Sequence, residues 1–311
     1  MKITMTGGAG YVGSVLVPLL LKEGYEVTVL DNFQYKENSL ALCCRHPNFS
    51  VHRVDIRDTA SLKPFLKEAD VVIPLAALVG APICDRKPHE AYHINLLAQL
   101  SILEAVGHDQ RVIMPTTESV YGSNAEICTE ETACAPLSTY GKHKLEVEED
   151  LLRHTNSVSL RLATVFGMSP RMRLDLLIND FTWRSLHDRA IVVFEGHYRR
   201  TSVHVQDVAA AFLHMLKYDR LKGIFNVGNV HCTKVELCEA IQRQVSHFSW
   251  SETTNVPKDE MGKDPDQRNY IVSDEKIRKE GFHYGWDLES GIKELLKGYV
   301  MLDNNRYGNV P

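Results

Sequence analysis

Two residues set four apart, Tyr140 and Lys144 in the run Ser138-Thr139-Tyr140-Gly141-Lys142-His143-Lys144, could together remove a proton from a substrate. On a helix that spacing puts both side chains on one face. A phenol with a pKa of about 10 is a poor base near neutrality, but an adjacent ammonium stabilises its phenolate and brings it into a useful range. A tyrosine and a lysine on one helix face are also common surface decoration, so the pair gains weight only from its company. That company begins with Thr116-Thr117-Glu118-Ser119-Val120-Tyr121-Gly122, which brings hydroxyls to the end of a strand-like segment.

A second group could hold a dinucleotide. Thr6-Gly7-Gly8-Ala9-Gly10-Tyr11-Val12-Gly13 follows the first strand-like run and opens a helix, with Gly7, Gly10 and Gly13 spaced by three. The backbone can turn sharply there, and the bare amides of a helix start favour a diphosphate. A tight strand-to-helix connection would use the same glycines. Asp31 ends the second strand, where a carboxylate accepts ribose hydroxyls and repels a 2′-phosphate, which argues for NAD over NADP. Asp31 could instead cap a turn with Asn32. Asp55-Ile56 could bracket an adenine, and Leu75-Ala76-Ala77 has small side chains where a cofactor backbone would pass.

The elements that must position these groups are legible as an alternation of short β-branched runs and longer helix-period stretches. Ile3–Thr6 precedes Val12–Glu23, Val51–Val54 precedes Leu62–Glu68, and Val71–Leu75 precedes His89–Val106. Such alternation predicts a parallel sheet covered on both faces, with ligands beyond the strand carboxyl ends. The pattern breaks near residue 164 and again after Gly228. The expected fold is therefore α/β: a Rossmann-type doubly wound parallel sheet with a smaller, discontinuous α/β substrate lobe. Residues 1–163 and 201–228 are assigned to the NAD-binding domain, and 164–200 and 229–311 to the lobe.

Composition narrows the function classes. The 311 residues carry 40 acidic against 35 basic side chains, a formal charge of −5, so nothing global favours nucleic acid or an anionic membrane. No Lys/Arg run exceeds two residues, and the apolar stretch Val15–Leu21 is too short to span a bilayer. Seven cysteines without a Cys-x-x-Cys pair fit a reduced, cytoplasmic compartment, and the 14 histidines form no metal-ligand motif, so no metal is expected.

Taken in order, Thr6-Gly-Gly-x-Gly-x-x-Gly, Leu75-Ala76-Ala77, Asn95, the threonine-rich strand end and Tyr140-x-x-x-Lys144 resemble the extended short-chain dehydrogenase/reductases. The resemblance is to their NAD-dependent nucleotide-sugar epimerase/dehydratase branch and runs from residue 2 to about residue 300. It implies Thr117 as the hydroxyl that hydrogen-bonds substrate, Tyr140 as general base, and Lys144 as the residue that binds nicotinamide ribose and tunes the tyrosine. It implies a cofactor set of Gly7, Gly10, Tyr11, Val12, Gly13, Asp31, Asn32, Asp55, Ile56, Leu75, Ala76, Ala77 and Asn95. Arg200 and Arg268 match arginines that contact the substrate nucleotide, and Val79, Glu118, Ser119, Thr164, Arg171 and Asn179 join them as substrate residues.

The departures from the branch are informative. Sugar 4,6-dehydratases usually carry Thr-Asp-Glu where this chain reads Thr117-Glu118-Ser119, so the base for eliminating water is lacking, and the cysteine typical of 3,5-epimerase and reductase relatives is absent too. Glu118 could be an acid, or face solvent or cap a helix. Oxidation at C4 remains, as a 4-dehydrogenase or 4-epimerase. The runs Arg161–Gly167 and Ser169–Asp180 are similar to GDP-manno-heptose 4-dehydrogenases of bacterial capsule synthesis. A non-catalytic NAD-sensing regulator, for which Tyr140 would be dispensable, is the competing class. Helices 89–106 and 139–153 carry surplus apolar residues (Ile94, Leu97, Ala98, Ile102, Leu145, Leu151), and the resemblance implies that this pair forms an intersubunit helix bundle, hence a homodimer or larger homo-oligomer.

Overall fold

The structure, a computed structural model, describes residues 1–123, 127–254, 269–302 and 308. Seven parallel strands form the central sheet: β1 (Lys2–Thr6), β2 (Glu26–Asp31), β3 (Phe49–Arg53), β4 (Val71–Pro74), β5 (Arg111–Thr117), β7 (Ser157–Leu162) and β11 (Gly223–Val227). Their order is β11-β7-β5-β4-β1-β2-β3, so the winding reverses at β1, which pairs with β2 on one side and β4 on the other. Strands such as Val71-Val72-Ile73 are apolar at every position because helices cover both faces. One core lies against the helices Gly13–Lys22 and Val205–Lys217, the other against Thr59–Glu68, Ala98–Ala105 and Thr139–Leu151.

The shorter strands are β6 (Ile127–Cys128), β8 (Thr164–Phe166), β9 (Ala190–Val193), β10 (Arg199–His204), β12 (Val230–Thr233), β13 (Ser249–Glu252) and β14 (Ile271–Val272). They form a three-stranded sheet, β12-β10-β8, and two two-stranded ones, β13-β9 and β14-β6. The start of the returning segment, assigned to the NAD-binding domain from residue 201, belongs to another sheet. Residues 201–204 pair with β8 and β12, and the chain rejoins the main layers only at the helix Val205–Lys217. A buried run such as Ser202-Val203-His204 suits either sheet, so its partner is set by tertiary contacts rather than by local pattern. The passages between the seven-stranded layers and the three-stranded sheet are very short. Ala163 alone separates β7 from β8, His204 leads directly into its helix, and two residues join β11 to β12.

The expected surplus of apolar surface on the two long helices is largely consumed within one chain. Ile94, Ala98, Ile102 and Leu151 are buried in its second core, while Tyr92, Leu97 and Leu152 stay exposed. The stretch read as one helix, 89–106, contains a π-helical segment, Tyr92–Leu97, a form that often marks functional sites. No helix of the described residues is long and apolar enough to cross a membrane.

Candidate functional site

At the switch point, Gly7 takes a positive φ of 69° while its amide donates to the Leu30 carbonyl at 2.8 Å. A Cβ there would sit 2.5 Å from the Ala76 nitrogen, so the turn packs directly on the loop after β4. A Cβ on Gly13 would lie 2.4 Å from the Gly8 carbonyl oxygen, which fixes the close approach of helix to turn. No side chain caps the helix Gly13–Lys22, so the partial positive charge of its first turn is left for a ligand.

Asp31 performs a structural task in addition to the one expected of it. Its Oδ2 accepts from the Ala9 amide at 3.0 Å and its Oδ1 from the Phe33 amide at 2.8 Å. The carboxylate thus pins the glycine turn to β2 and caps the following turn, with lone pairs to spare for ribose hydroxyls. Burial raises its pKa, and the two amides oppose that rise. Asp55 is engaged by the Arg57 guanidinium at 2.7 Å, whose hydrogen bonds hold its carboxyl down to about 2.

At the other end, Ser138 caps the helix Thr139–Leu151 by accepting from the Gly141 amide at 3.1 Å. Tyr140 and Lys144 are both buried, and the Lys144 Nζ donates to the Pro115 carbonyl at 3.2 Å. Burial pushes its ammonium down to about 8. Thr117 Oγ1 accepts from the Ser119 amide at 3.1 Å and so turns the end of β5 into the 3-10 turn Glu118–Tyr121. Glu118 is buried and lines the cleft, which overturns its solvent-facing reading. Both ends belong to one continuous cleft of about 600 Å³.

Beneath the reacting end lies a buried polar network that the sequence reading did not find. Glu148, one helical turn beyond Lys144, pairs with Arg161 on β7 and accepts from the hydroxyls of Thr116 and Ser159. Arg161 also donates to the Tyr121 hydroxyl at 3.0 Å, which in turn donates to Asn226 at 2.7 Å. The helix that carries Tyr140 is thereby tied to the strand that carries Thr117. The Lys144-to-Glu148 spacing was the available signal, since it puts the two on one helix face.

The expected site residues divide by placement. Gly7, Gly10, Tyr11, Val12, Gly13, Asp31, Asn32, Asp55, Ile56, Leu75, Ala76 and Ala77 line the cleft, as do Val79, Thr117, Glu118, Ser119, Tyr140, Lys144, Thr164, Arg171 and Arg200. Two asparagines do not, and here the expectation is corrected. Asn95 is fully buried behind the wall, accepting from the Leu78 amide and donating to the Leu78 carbonyl, both at 2.8 Å. The π-helical segment presents it to that loop, and Gln99 from the α-helix that follows, Ala98–Ala105, holds the Ala76 carbonyl at 2.6 Å. Asn179 accepts from the Gly167 amide at 3.0 Å and donates to the Arg173 carbonyl and the Tyr11 hydroxyl, so its polar atoms are spent on joining the lobes. Arg171 lies at the Asp31 end of the cleft, over the Tyr35 ring, rather than near Tyr140. Arg268 lies outside the described residues. Lys234 and Tyr270 also line the cleft, and the Tyr270 hydroxyl donates to the Glu118 carbonyl at 2.8 Å. No motif advertised either one. Among the described residues no three potential metal ligands cluster.

The residues present fit a dinucleotide. An uncapped helix start, a glycine turn with no room for a Cβ at Gly7 or Gly13, and an acidic side chain at the end of β2 meet in one cleft with a buried tyrosine and lysine. Comparison with known proteins agrees. The model of the NAD dependent epimerase/dehydratase family matches residues 3–228. UDP-glucose 4-epimerase 2 of Arabidopsis thaliana is 27% identical over 349 aligned positions, covering 99% of this chain and 96% of the relative. Protein CapI of Staphylococcus aureus is 32% identical over 237 positions, covering 70% of each. The crystal structure of UDP-glucuronic acid 4-epimerase from Bacillus cereus, in complex with UDP-glucuronic acid and NAD, superposes with a TM-score of 0.84 at 25% identity, covering 97% of this chain and all of the other. The chain belongs to the NAD-dependent epimerase/dehydratase family and is an extended short-chain dehydrogenase/reductase enzyme whose cofactor is NAD.

Proposed function

We propose that the protein oxidises a nucleotide-diphosphate sugar at C4, with the hydride passing to NAD, and acts as a 4-epimerase or 4-dehydrogenase. The observation that carries this reading is the single cleft that joins the glycine turn and Asp31 at one end to Thr117, Tyr140 and Lys144 at the other. When bound, NAD supplies the hydride acceptor. Tyr140 takes the proton from the sugar hydroxyl, Lys144 holds the tyrosine in its ionised form, and Thr117 orients the hydroxyl. Arg200 and Lys234, both buried and lining the cleft, favour a diphosphate in a molecule whose net charge does not. Ser119 supplies no carboxylate base, which argues against elimination of water after oxidation. The UDP-glucose 4-epimerase and the UDP-glucuronic acid 4-epimerase described above are named for UDP-sugars, while the runs around Arg161 and Ser169 favour GDP-sugars, so both belong in the test.

The test is incubation of the purified enzyme with UDP-, GDP-, CDP- and dTDP-sugars, followed by chromatography and mass spectrometry. A product of unchanged mass at a new retention time identifies the epimerase, and loss of two hydrogens identifies the dehydrogenase. Loss of a water, or no turnover of any sugar, refutes the reading. The exposed Tyr92, Leu97 and Leu152 support a homodimer formed through the helical layer, which Leu97→Glu should dissociate in sedimentation experiments. Seven free cysteines, five of them buried, support a reduced cytoplasmic location.

A further inference from the structure

The least explained charge in the molecule is Arg171. It is only 2% exposed and heads the largest fully buried side chains, yet no carboxylate lies within ion-pair distance of it among the described residues. Its neighbour Arg173, by contrast, is neutralised by Asp175 at 2.6 Å. The Arg171 guanidinium donates to the carbonyls of Met172 and Gly308, each at 3.2 Å, and its Nε has no hydrogen-bond partner among the described residues. Asp31, Glu37 and Asp175 lie within electrostatic reach without touching it. A guanidinium removed from water without an anion is costly, so this one is built to receive negative charge.

Its position says whose charge. The segment 167–171 of the second lobe is fastened to the start of the first helix. Tyr11 donates to the Gly167 carbonyl at 2.6 Å, Ser169 donates to the Tyr11 carbonyl at 2.7 Å, and the hydroxyls of Ser14 and Ser169 meet at 2.9 Å. The Arg171 amide itself donates to the Ser14 hydroxyl at 3.4 Å. That helix start is where a diphosphate sits on the glycine turn. From there the Arg171 side chain crosses to the loop after β2 and stacks 3.7 Å over the Tyr35 ring. It thus bridges the second lobe and the loop behind Asp31.

We infer that Arg171 is the second lobe's grip on the diphosphate of the dinucleotide, and that its stack on Tyr35 is a clasp that must part before the cofactor leaves. The inference rests on NAD as the cofactor, and it moves Arg171 from the sugar-nucleotide side of the cleft to the cofactor side. A charged hydrogen bond with a cation–π contact corresponds to about a tenfold or larger change in release.

The test loads wild-type protein and the Arg171→Met, Arg171→Lys and Tyr35→Leu variants with NADH and chases with excess NAD, following nicotinamide fluorescence. UDP affinity is measured by calorimetry on the same samples. About tenfold or faster release in Arg171→Met, a smaller acceleration in Tyr35→Leu, recovery in Arg171→Lys, and unchanged UDP affinity are expected. Tyr35 sits on a half-exposed loop, so its variant reports on the clasp even if Arg171→Met misfolds. Unchanged release in the variants overturns the clasp while leaving NAD in place. Weakened UDP binding with unchanged NADH release overturns it too and returns Arg171 to the substrate. A wild-type protein that takes up no NADH overturns the cofactor reading, and the clasp with it.

Discussion

Replacing Lys144 by methionine should make the cofactor-free protein more stable and the enzyme inactive. Burial lowers the ammonium from the unperturbed 10.5 to about 8. Below pH 8 both the folded and the unfolded chain carry the proton, so the folded state bears the whole cost of burying the charge. Between 8 and 10.5 the unfolded chain binds more protons, and stability rises with pH. At about 1.4 kcal/mol per pH unit, that difference amounts to on the order of 3 kcal/mol. Methionine removes this cost but also the hydrogen bond to the Pro115 carbonyl, a loss of roughly 1 kcal/mol. The variant should therefore exceed wild type by about 2 kcal/mol near pH 7, an advantage that shrinks above pH 8 and changes sign as the pH nears 10.5. Urea unfolding of both proteins, stripped of cofactor, at several pH values from 7 to 10 would measure it. A variant less stable at pH 7, with an offset from wild type that does not change with pH, would refute the reasoning. Lys144 would then be no strained cation.

Other substitutions probe the remaining parts of the site. Tyr140→Phe should lower turnover by roughly 10²- to 10⁴-fold while leaving NADH retention intact, and undiminished turnover would favour a sensor over an enzyme. Glu148→Gln strands the Arg161 charge in the core and should cost about 3–5 kcal/mol in chemical denaturation; a loss below about 1 kcal/mol would mean the pair is not dry. Asp31→Ser removes the charge that repels a 2′-phosphate, so the ratio of NADP to NAD affinity should rise by about tenfold or more in fluorescence titrations. An unchanged ratio would reduce Asp31 to its turn-capping bonds.

What could be read in advance followed local rules. The glycine turn, Asp31 and the Tyr140–Lys144 spacing are short-range features, and alternating strand and helix periods suffice for a parallel sheet with its cleft at the switch point. What could not be read depended on long-range pairing. Asn95 and Asn179 looked like ligands because a buried asparagine that satisfies a loop and one that meets a ligand have the same sequence appearance. Residues 201–204 could have joined either sheet, and Glu148 found Arg161 only once β7 lay beside β5. The apolar helix faces were read as an intersubunit seam, although the chain's own helices cover most of them.

The brevity of the passages between sheets bears on how the enzyme turns over. With Ala163 alone between β7 and β8, buried and held by the Val227 carbonyl at 3.0 Å, there is no stretch of backbone in which torsion angles could swing freely. The other crossings, at His204–Val205 and Gly228–Asn229, are equally taut. Among the described residues, these three crossings offer no free pivot for jaw-like opening of one half against the other, since a pivot needs residues able to change conformation. Admission and departure of small molecules then fall to the peripheral loops, such as the one behind Asp31 that carries Tyr35.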